Sequence, residues 1–190
     1  SGYAALDVTT DDGPWTKPED LKKLNGFLRL GAGRWGVSAG AYHAEWNATD
    51  QIPERAVRNG RLNRLSDVDP NVGGSTDRAW LNAAYADASG LRANAYVMRY
   101  RLKLTSNFTY FLEDPINGDA FQQAESRTIV GGSISKTFDR AGAWTPSLGA
   151  ETRIDRIDPI GLYKVNGRVR RETVRQDKVD QASAAVWGAL

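Results

Sequence analysis

A chain of 190 residues, 41% hydrophobic and 25% charged, with a mean hydropathy of −0.51, is too polar for helical membrane spans and too apolar for a disordered tail. The formal net charge of +2 gives no pointer to nucleic acid, and a chain with no cysteine and one histidine, His43, offers neither a disulfide framework nor a thiolate or histidine-cluster metal site. Strands that turn only every second side chain toward an apolar medium hide in such averages.

The start, SGYAALDVTT, has no basic segment followed by an apolar stretch, so no secretory signal is expected there. Period-two alternation in segments of roughly ten residues then recurs along the chain. It predicts strands at 2–10, 25–33, 36–47, 78–88, 91–105, 127–138, 144–155 and 179–190. Helix is expected to be minor, one or two turns in PEDLKKL at 18–24. The connections alternate in length: long after the first strand, tight at Gly33-Arg34-Trp35, long at 48–77, tight at Ser89-Gly90, long at 106–126, tight at 139–143 and long at 156–178. Asp12-Gly13-Pro14, Gly73-Gly74, Asp114-Pro115, Asp158-Pro159 and Asn166-Gly167 punctuate the long ones. Short turns at one end and long loops at the other predict an all-β, antiparallel, up-and-down transmembrane barrel, since a soluble sandwich has no reason to segregate its loops this way.

The fifth segment argues hardest. Tyr96, Met98, Tyr100, Leu102 and Leu104 alternate with Val97, Arg99, Arg101 and Lys103, so the two sets lie on opposite faces. The first set is expected toward lipid and the cations toward a wet lumen; a surface strand of a soluble sheet would show the same pattern. In the third segment Tyr42, Ala44 and Trp46 oppose His43, Glu45 and Asn47. In the seventh, Leu148, Ala150 and Ile154 oppose Glu151, Arg153 and Asp155. The expectation is therefore a lumen row of Arg99, Arg101, Lys103, Glu151, Arg153 and Asp155, with Tyr42, Trp46, Tyr96, Met98, Tyr100 and Leu102 facing lipid or its interface. Opposite charges on neighbouring strands would pair across the wall.

The stretch YHAEWNATDQIPERAV at 42–57 is similar to the strand and outer loop of TonB-dependent receptors. GPWTKPEDLKKLNGFLRL at 13–30, SNFTYFLEDPINGD at 106–119 and QAESRTIVGG at 123–132 follow in the order that family shows. The resemblance covers nearly the whole chain and implies about eight strands of a larger closed barrel in the outer membrane of a Gram-negative bacterium, about a third of its wall. It implies residues 1–190 as a fragment of one barrel domain, with no plug domain and no motif for engaging the energy-coupling protein. The implied partners are the rest of the barrel and plug, the inner-membrane protein TonB acting through that plug, outer-membrane lipid and lipopolysaccharide, and a small-molecule chelate, with no nucleic acid. The implied function is energy-coupled uptake of a scarce nutrient, a ferric siderophore or similar chelate. No ligand residue carries over.

Lys164, Arg168, Arg170, Arg171 and Arg175 fall in the last predicted long loop, where they would meet lipopolysaccharide phosphates or an anionic ligand, or stand solvated. Asp67, Asp69 and Asn71 mimic the opening of a calcium loop, but Val72 and Arg78 hold the required glycine and carboxylate positions. Asn47-Ala48-Thr49 and Asn107-Phe108-Thr109 read as loop caps rather than glycosylation acceptors. With no nucleophile and base in view, no catalysis and no cofactor are expected. Two other readings stay open: a complete small barrel serving as pore or adhesin, which needs its last strand paired with its first, and a soluble β-sandwich that binds a ligand.

Overall fold

The computed structural model describes residues 1–139 and 142–190. Eight strands follow one another in a single antiparallel sheet whose spatial order is their chain order: β1 (Gly2–Asp11), β2 (Leu21–Ala32), β3 (Trp35–Asn47), β4 (Gly73–Ala86), β5 (Leu91–Ser106), β6 (Phe121–Thr137), β7 (Ser147–Asn166) and β8 (Val169–Ala189). Alternation built these strands, and the all-β, up-and-down expectation holds. β1 and β8 are the two edges and pair only inward, so the sheet is not closed. No second sheet packs on it among the described residues, which removes the sandwich reading.

The sequence reading fails at strand ends. Leu21 to Leu24 belong to β2 and not to a helix, because Lys23 bonds Asp7 of β1 at 2.9 Å and Lys22 reaches Glu45 of β3 at 3.7 Å. Those partners lie on both flanking strands, and the pairing outweighs a weak helical spacing. Asp20, at φ 47, turns the chain just before β2. The one helix among the described residues, α1 (Glu54–Arg58), lies in the loop between β3 and β4.

The largest correction concerns 156–178, expected as a long loop. β7 and β8 run through it as one tall hairpin closed by Gly167 and Arg168, both at positive φ, the sign that a two-residue type I′ turn requires. Pro159 has no N–H to give, and it sits where the β7–β8 register skips between Ile157 and Ile160. The 21 residues of β8 would extend about 70 Å at 3.3 Å each, far more than the roughly ten residues that cross a bilayer. The connection at 138–146 is as long as that at 12–20, so loop length does not segregate by end as strictly as expected. Residues 140 and 141, inside the expected turn at 139–143, lie outside the described residues.

The buried side chains gather toward the end of the sheet that carries α1. Val72, Thr105, Asn107, Ala120, Tyr163 and Val165 are each under 6% exposed there. The opposite end, with its turns at 33–34 and 87–90, has no such core, and its side chains answer to one face or the other.

Candidate functional site

The register assigns every strand residue to one of two faces, named here after Tyr96 and Val97 of β5. On the Val97 face, from the turn at 33–34 upward, each strand presents apolar or small residues at successive alternate positions. They are Trp35, Val37, Ala39 and Ala41 on β3, then Tyr85, Ala83, Leu81 and Ala79 on β4, then Leu91, Ala93, Ala95 and Val97 on β5. The other strands repeat the depth. Leu28, Val37, Leu81, Val97, Val130 and Ile154, one from each of β2 to β7, are between 40% and 49% exposed. Two polar residues interrupt the band: Thr152 on β7 donates its hydroxyl to the Ser183 carbonyl at 3.1 Å, and Lys136 on β6, paired with Leu91 and Leu148 at the lower margin, bonds Ser89 of the adjoining turn.

Above the band the same face turns ionic abruptly, at Lys22 on β2, His43 on β3, Asp77 on β4, Arg99 on β5, Arg156 on β7 and Asp180 on β8. From Trp35 to His43 is about 26 Å along a strand. Arg99 pairs with Ala79, yet the limit on β4 is Asp77. His43 pairs with Leu24, yet the limit on β2 is Lys22. The limit thus slips along the register by two residues twice across the sheet, the drift that tilted strands give a level boundary.

The Tyr96 face is built differently. Tyr3, Phe27 and Trp80 form a row with ring centroids 5.9 Å apart at each step, and the Trp80 ring fills the space a side chain at Gly40 would need. Tyr96 lies over Gly131 in the same way. Beside it Arg127 bonds Glu125 at 2.6 Å and Asp155 at 3.3 Å, and Arg153 grips Asp155 with two bonds of 2.7 and 2.9 Å. Asp155 is 3% exposed, and a carboxylate so placed needs the cations around it.

Tyr42, Tyr96, Met98, Tyr100 and Leu102 do share a face, with Trp46 following on β3. Arg99, Arg101 and Lys103 lie on the other, as their alternation requires. The expected six-residue polar row is nevertheless divided. Through β6, Tyr96 aligns with Gly131 and Arg153, and Met98 with Ile129 and Asp155. Glu151, Arg153 and Asp155 are therefore on the face of the tyrosines, opposite Arg99, Arg101 and Lys103. The cause lies in β5, whose odd positions are apolar as far as Val97 and cationic beyond it. A strand longer than the band changes character partway along one face.

The basic residues of the hairpin are also differently placed. Arg168, at the tip, donates to the carbonyls of Asn71 at 2.6 Å and Val72 at 2.8 Å and to Asn47 Oδ1 at 2.8 Å. Arg170 covers the Tyr163 ring at 3.2 Å. Lys164, Arg171 and Arg175 meet Glu172, Asp114 and Asp177 at 3.6, 3.4 and 2.5 Å. Each has a partner within the chain, so they form no free cationic loop.

Asn107 joins the two large loops. Its amide donates to Asp69 at 2.7 Å, its backbone N–H to Asp50 at 2.9 Å, and its Oδ1 accepts from the Tyr110 N–H at 2.8 Å. It is a cap, as expected, and the side chain is buried. Asp69 is occupied in turn by Asn71, and no group of three or more potential metal-binding side chains occurs among the described residues.

Asp114 accepts the N–H of Asn117 at 2.8 Å and its side-chain amide at 3.0 Å, and Ile116 and Arg171 add further bonds. These bonds, those of Asn117 foremost, hold its carboxyl down at about 2 against an ordinary 3.8. A lowered carboxyl stabilises above the ordinary value and loses that contribution as pH falls through the lowered one. Protection factors of the amides in 107–120, with the intrinsic pH dependence of exchange divided out, are therefore expected to hold from neutral pH down to about 5 and to fall between about 4 and 2. Protection already lost at pH 5 would contradict it.

Sequence reasoning missed Arg127, Glu125 and the hub role of Asn107. The partners of Asn107 stand 57 and 38 residues away, beyond any local pattern. Arg127 carried a signal, the charges at alternate positions Glu125 and Arg127. No helix among the described residues is long and apolar enough to cross a membrane, which says nothing of crossing by strands. Compared with family models, curated proteins and solved structures, the chain matches none.

Proposed function

We propose that the chain is part of the wall of an outer-membrane β-barrel, with the Val97 face toward hydrocarbon and the Tyr96 face toward the lumen. The observation that carries this is the band itself. Half-exposed aliphatic side chains at matching levels on six consecutive strands form one continuous apolar surface, larger than a soluble monomer leaves in water. Its limit by ionic residues, and Trp35 against Tyr85 at 4.9 Å at the other margin, are the features of a bilayer-facing wall with an aromatic girdle. The unpaired edges of β1 and β8 favour further strands beyond them, since open edges have no place in hydrocarbon. In this orientation Asp155, Arg153 and Glu151 line the lumen with Tyr42, Tyr96, Met98, Tyr100 and Leu102, while Arg99, Arg101 and Lys103 point outward above the band.

Within that class the reading we favour is a TonB-dependent receptor taking up a scarce nutrient, most simply a ferric siderophore or similar chelate. The segments at 13–30, 42–57, 106–119 and 123–132 support it. The partners would be the remaining strands and plug, TonB through that plug, and outer-membrane lipid.

The chain has no cysteine, which makes orientation directly testable. Single cysteines at Leu28, Val97 or Ile154, carrying an environment-sensitive fluorophore, are expected to emit blue-shifted in phosphatidylcholine vesicles and to be quenched by a lipid-borne quencher. Labels at Phe27, Met98 or Arg153 are expected to respond to an aqueous quencher instead. Equal response from both sets, or the reverse, refutes the orientation.

A further inference from the structure

The band ends on β5 at Val97, and the next residues on that face are Arg99, Arg101 and Lys103. Arg99 donates to two neutral acceptors, Thr128 Oγ1 at 2.5 Å and Ser126 Oγ at 2.6 Å. Two of its five N–H groups are used, so the side chain is held in place while its charge goes uncompensated. Arg101 stands across from Asp77 in the register, but Asp77 Oδ1 is taken by His43 Nδ1 at 2.8 Å. Among the described residues neither Arg101 nor Lys103 makes a side-chain ion pair within 4.0 Å. Nearby, Lys22 answers Asp20 and Glu45, and Arg156 lies 3.9 Å from Asp180.

Arg99 and Arg101 line a recess of about 350 Å³ that straddles the limit of the band. Leu24, Ala41 and Ala79 line its apolar side, and His43, Asp77, Arg99 and Arg101 its polar side. An apolar floor continuous with the band, beside two guanidinium groups that make no ion pair, that of Arg99 held by Thr128 and Ser126, complements an amphiphile with a phosphate where its chains begin. We propose that this recess binds a phosphate-bearing lipid of the outer leaflet, its phosphate against Arg99 and Arg101 and an acyl chain along Leu24, Ala41 and Ala79. The inference rests on the bilayer-facing reading of the Val97 face. It places the anion site on the wall and not on the hairpin, whose basic residues are internally paired.

The test uses the complete barrel that carries this wall, in phosphatidylcholine vesicles containing a trace of fluorescent lipid A, read by energy transfer from its tryptophans. Saturable binding is expected, with labelled phosphatidylcholine giving only the unsaturable background. Arg99→Gln with Arg101→Gln is expected to weaken binding roughly 10- to 30-fold, and Arg101→Gln alone, which breaks no ion pair, by several-fold. Lys164→Gln with Arg171→Gln is expected to leave it unchanged. Inorganic phosphate is not expected to compete, and if it does, the site is one for the free anion. If the complete barrel inserts but shows no preference for lipid A, this proposal falls and the wall reading stands. If the complete barrel does not insert, both fall.

Discussion

Leu81→Arg is expected to destabilise the complete barrel in vesicles by about 2–4 kcal/mol, whereas Asn82→Arg, one residue along, costs under about 1 kcal/mol. Leu81 lies near the middle of the band on β4 and is 49% exposed. In water such a change at a half-exposed position would be close to neutral, within about 0.5 kcal/mol. In hydrocarbon the guanidinium must be desolvated or must drag water and headgroups inward, and the cost is greatest at the midplane. Asn82 pairs with Ser38 and Tyr96 on the opposite face, where, in the proposed orientation, a longer polar side chain meets water. Urea unfolding in vesicles, followed by tryptophan emission, gives both numbers. Equal costs for the two variants, or the greater cost at Asn82, would remove the hydrocarbon from the Val97 face.

The two positions also mark how far the sequence could be read. Strand existence was legible because alternation is a local property, and seven of the eight predicted strands overlap most of an observed one. Facing was legible on β7, where Leu148, Ala150 and Ile154 belong to the apolar band. On β3 and β5 the residues at 42–46 and 96–104 do not show that the longer apolar row lies on the opposite face. Between 96 and 104 the aromatic and aliphatic row looks like the greasier side, and only the earlier odd positions, Leu91, Ala93 and Ala95, reveal that the opposite face is the apolar one lower down. Alanine hides this signal. It is a weak hydrophobe by area, and a row of alanines marks an apolar face only through its lack of polar side chains.

The hairpin of β7 and β8 was hidden for another reason. Asp158-Pro159 and Asn166-Gly167 read as loop punctuation, and both are accommodated within the ladder, one at a register skip and one at the turn. Charged residues at 164–178 looked like solvated loop because a strand exposed to water on both faces carries no alternation. Its partner across the sheet decides its conformation. The long-range anchors are of the same kind: Arg168 reaches Asn47 across 121 residues of sequence, and no spacing rule foretells it.

Asp155→Ala tests the polar cluster of the Tyr96 face and carries the second large effect, an expected loss of about 2–3 kcal/mol. Breaking a buried ion pair by removing one partner costs about 3–5 kcal/mol; the lower figure allows for Arg153 and Arg127, whose side chains keep 49% and 28% of their exposure and so recover some hydration. Asp155 is the shared member. Without it Arg153 has no carboxylate and Arg127 keeps only Glu125 at 2.6 Å. Arg153→Ala is expected to cost about 1 kcal/mol or less, because Asp155 retains Arg127 and the lost partner is half in water. Arg127→Ala falls between them, since it frees Glu125 and leaves Asp155 to Arg153 alone. The ordering Asp155, then Arg127, then Arg153, measured by urea midpoints at constant slope, is the signature of one buried carboxylate neutralised from two strands. If Arg153→Ala costs as much as Asp155→Ala, the bonds from Arg153 dominate, and the cluster acts as a local pair on β7 and not as a tie between β6 and β7.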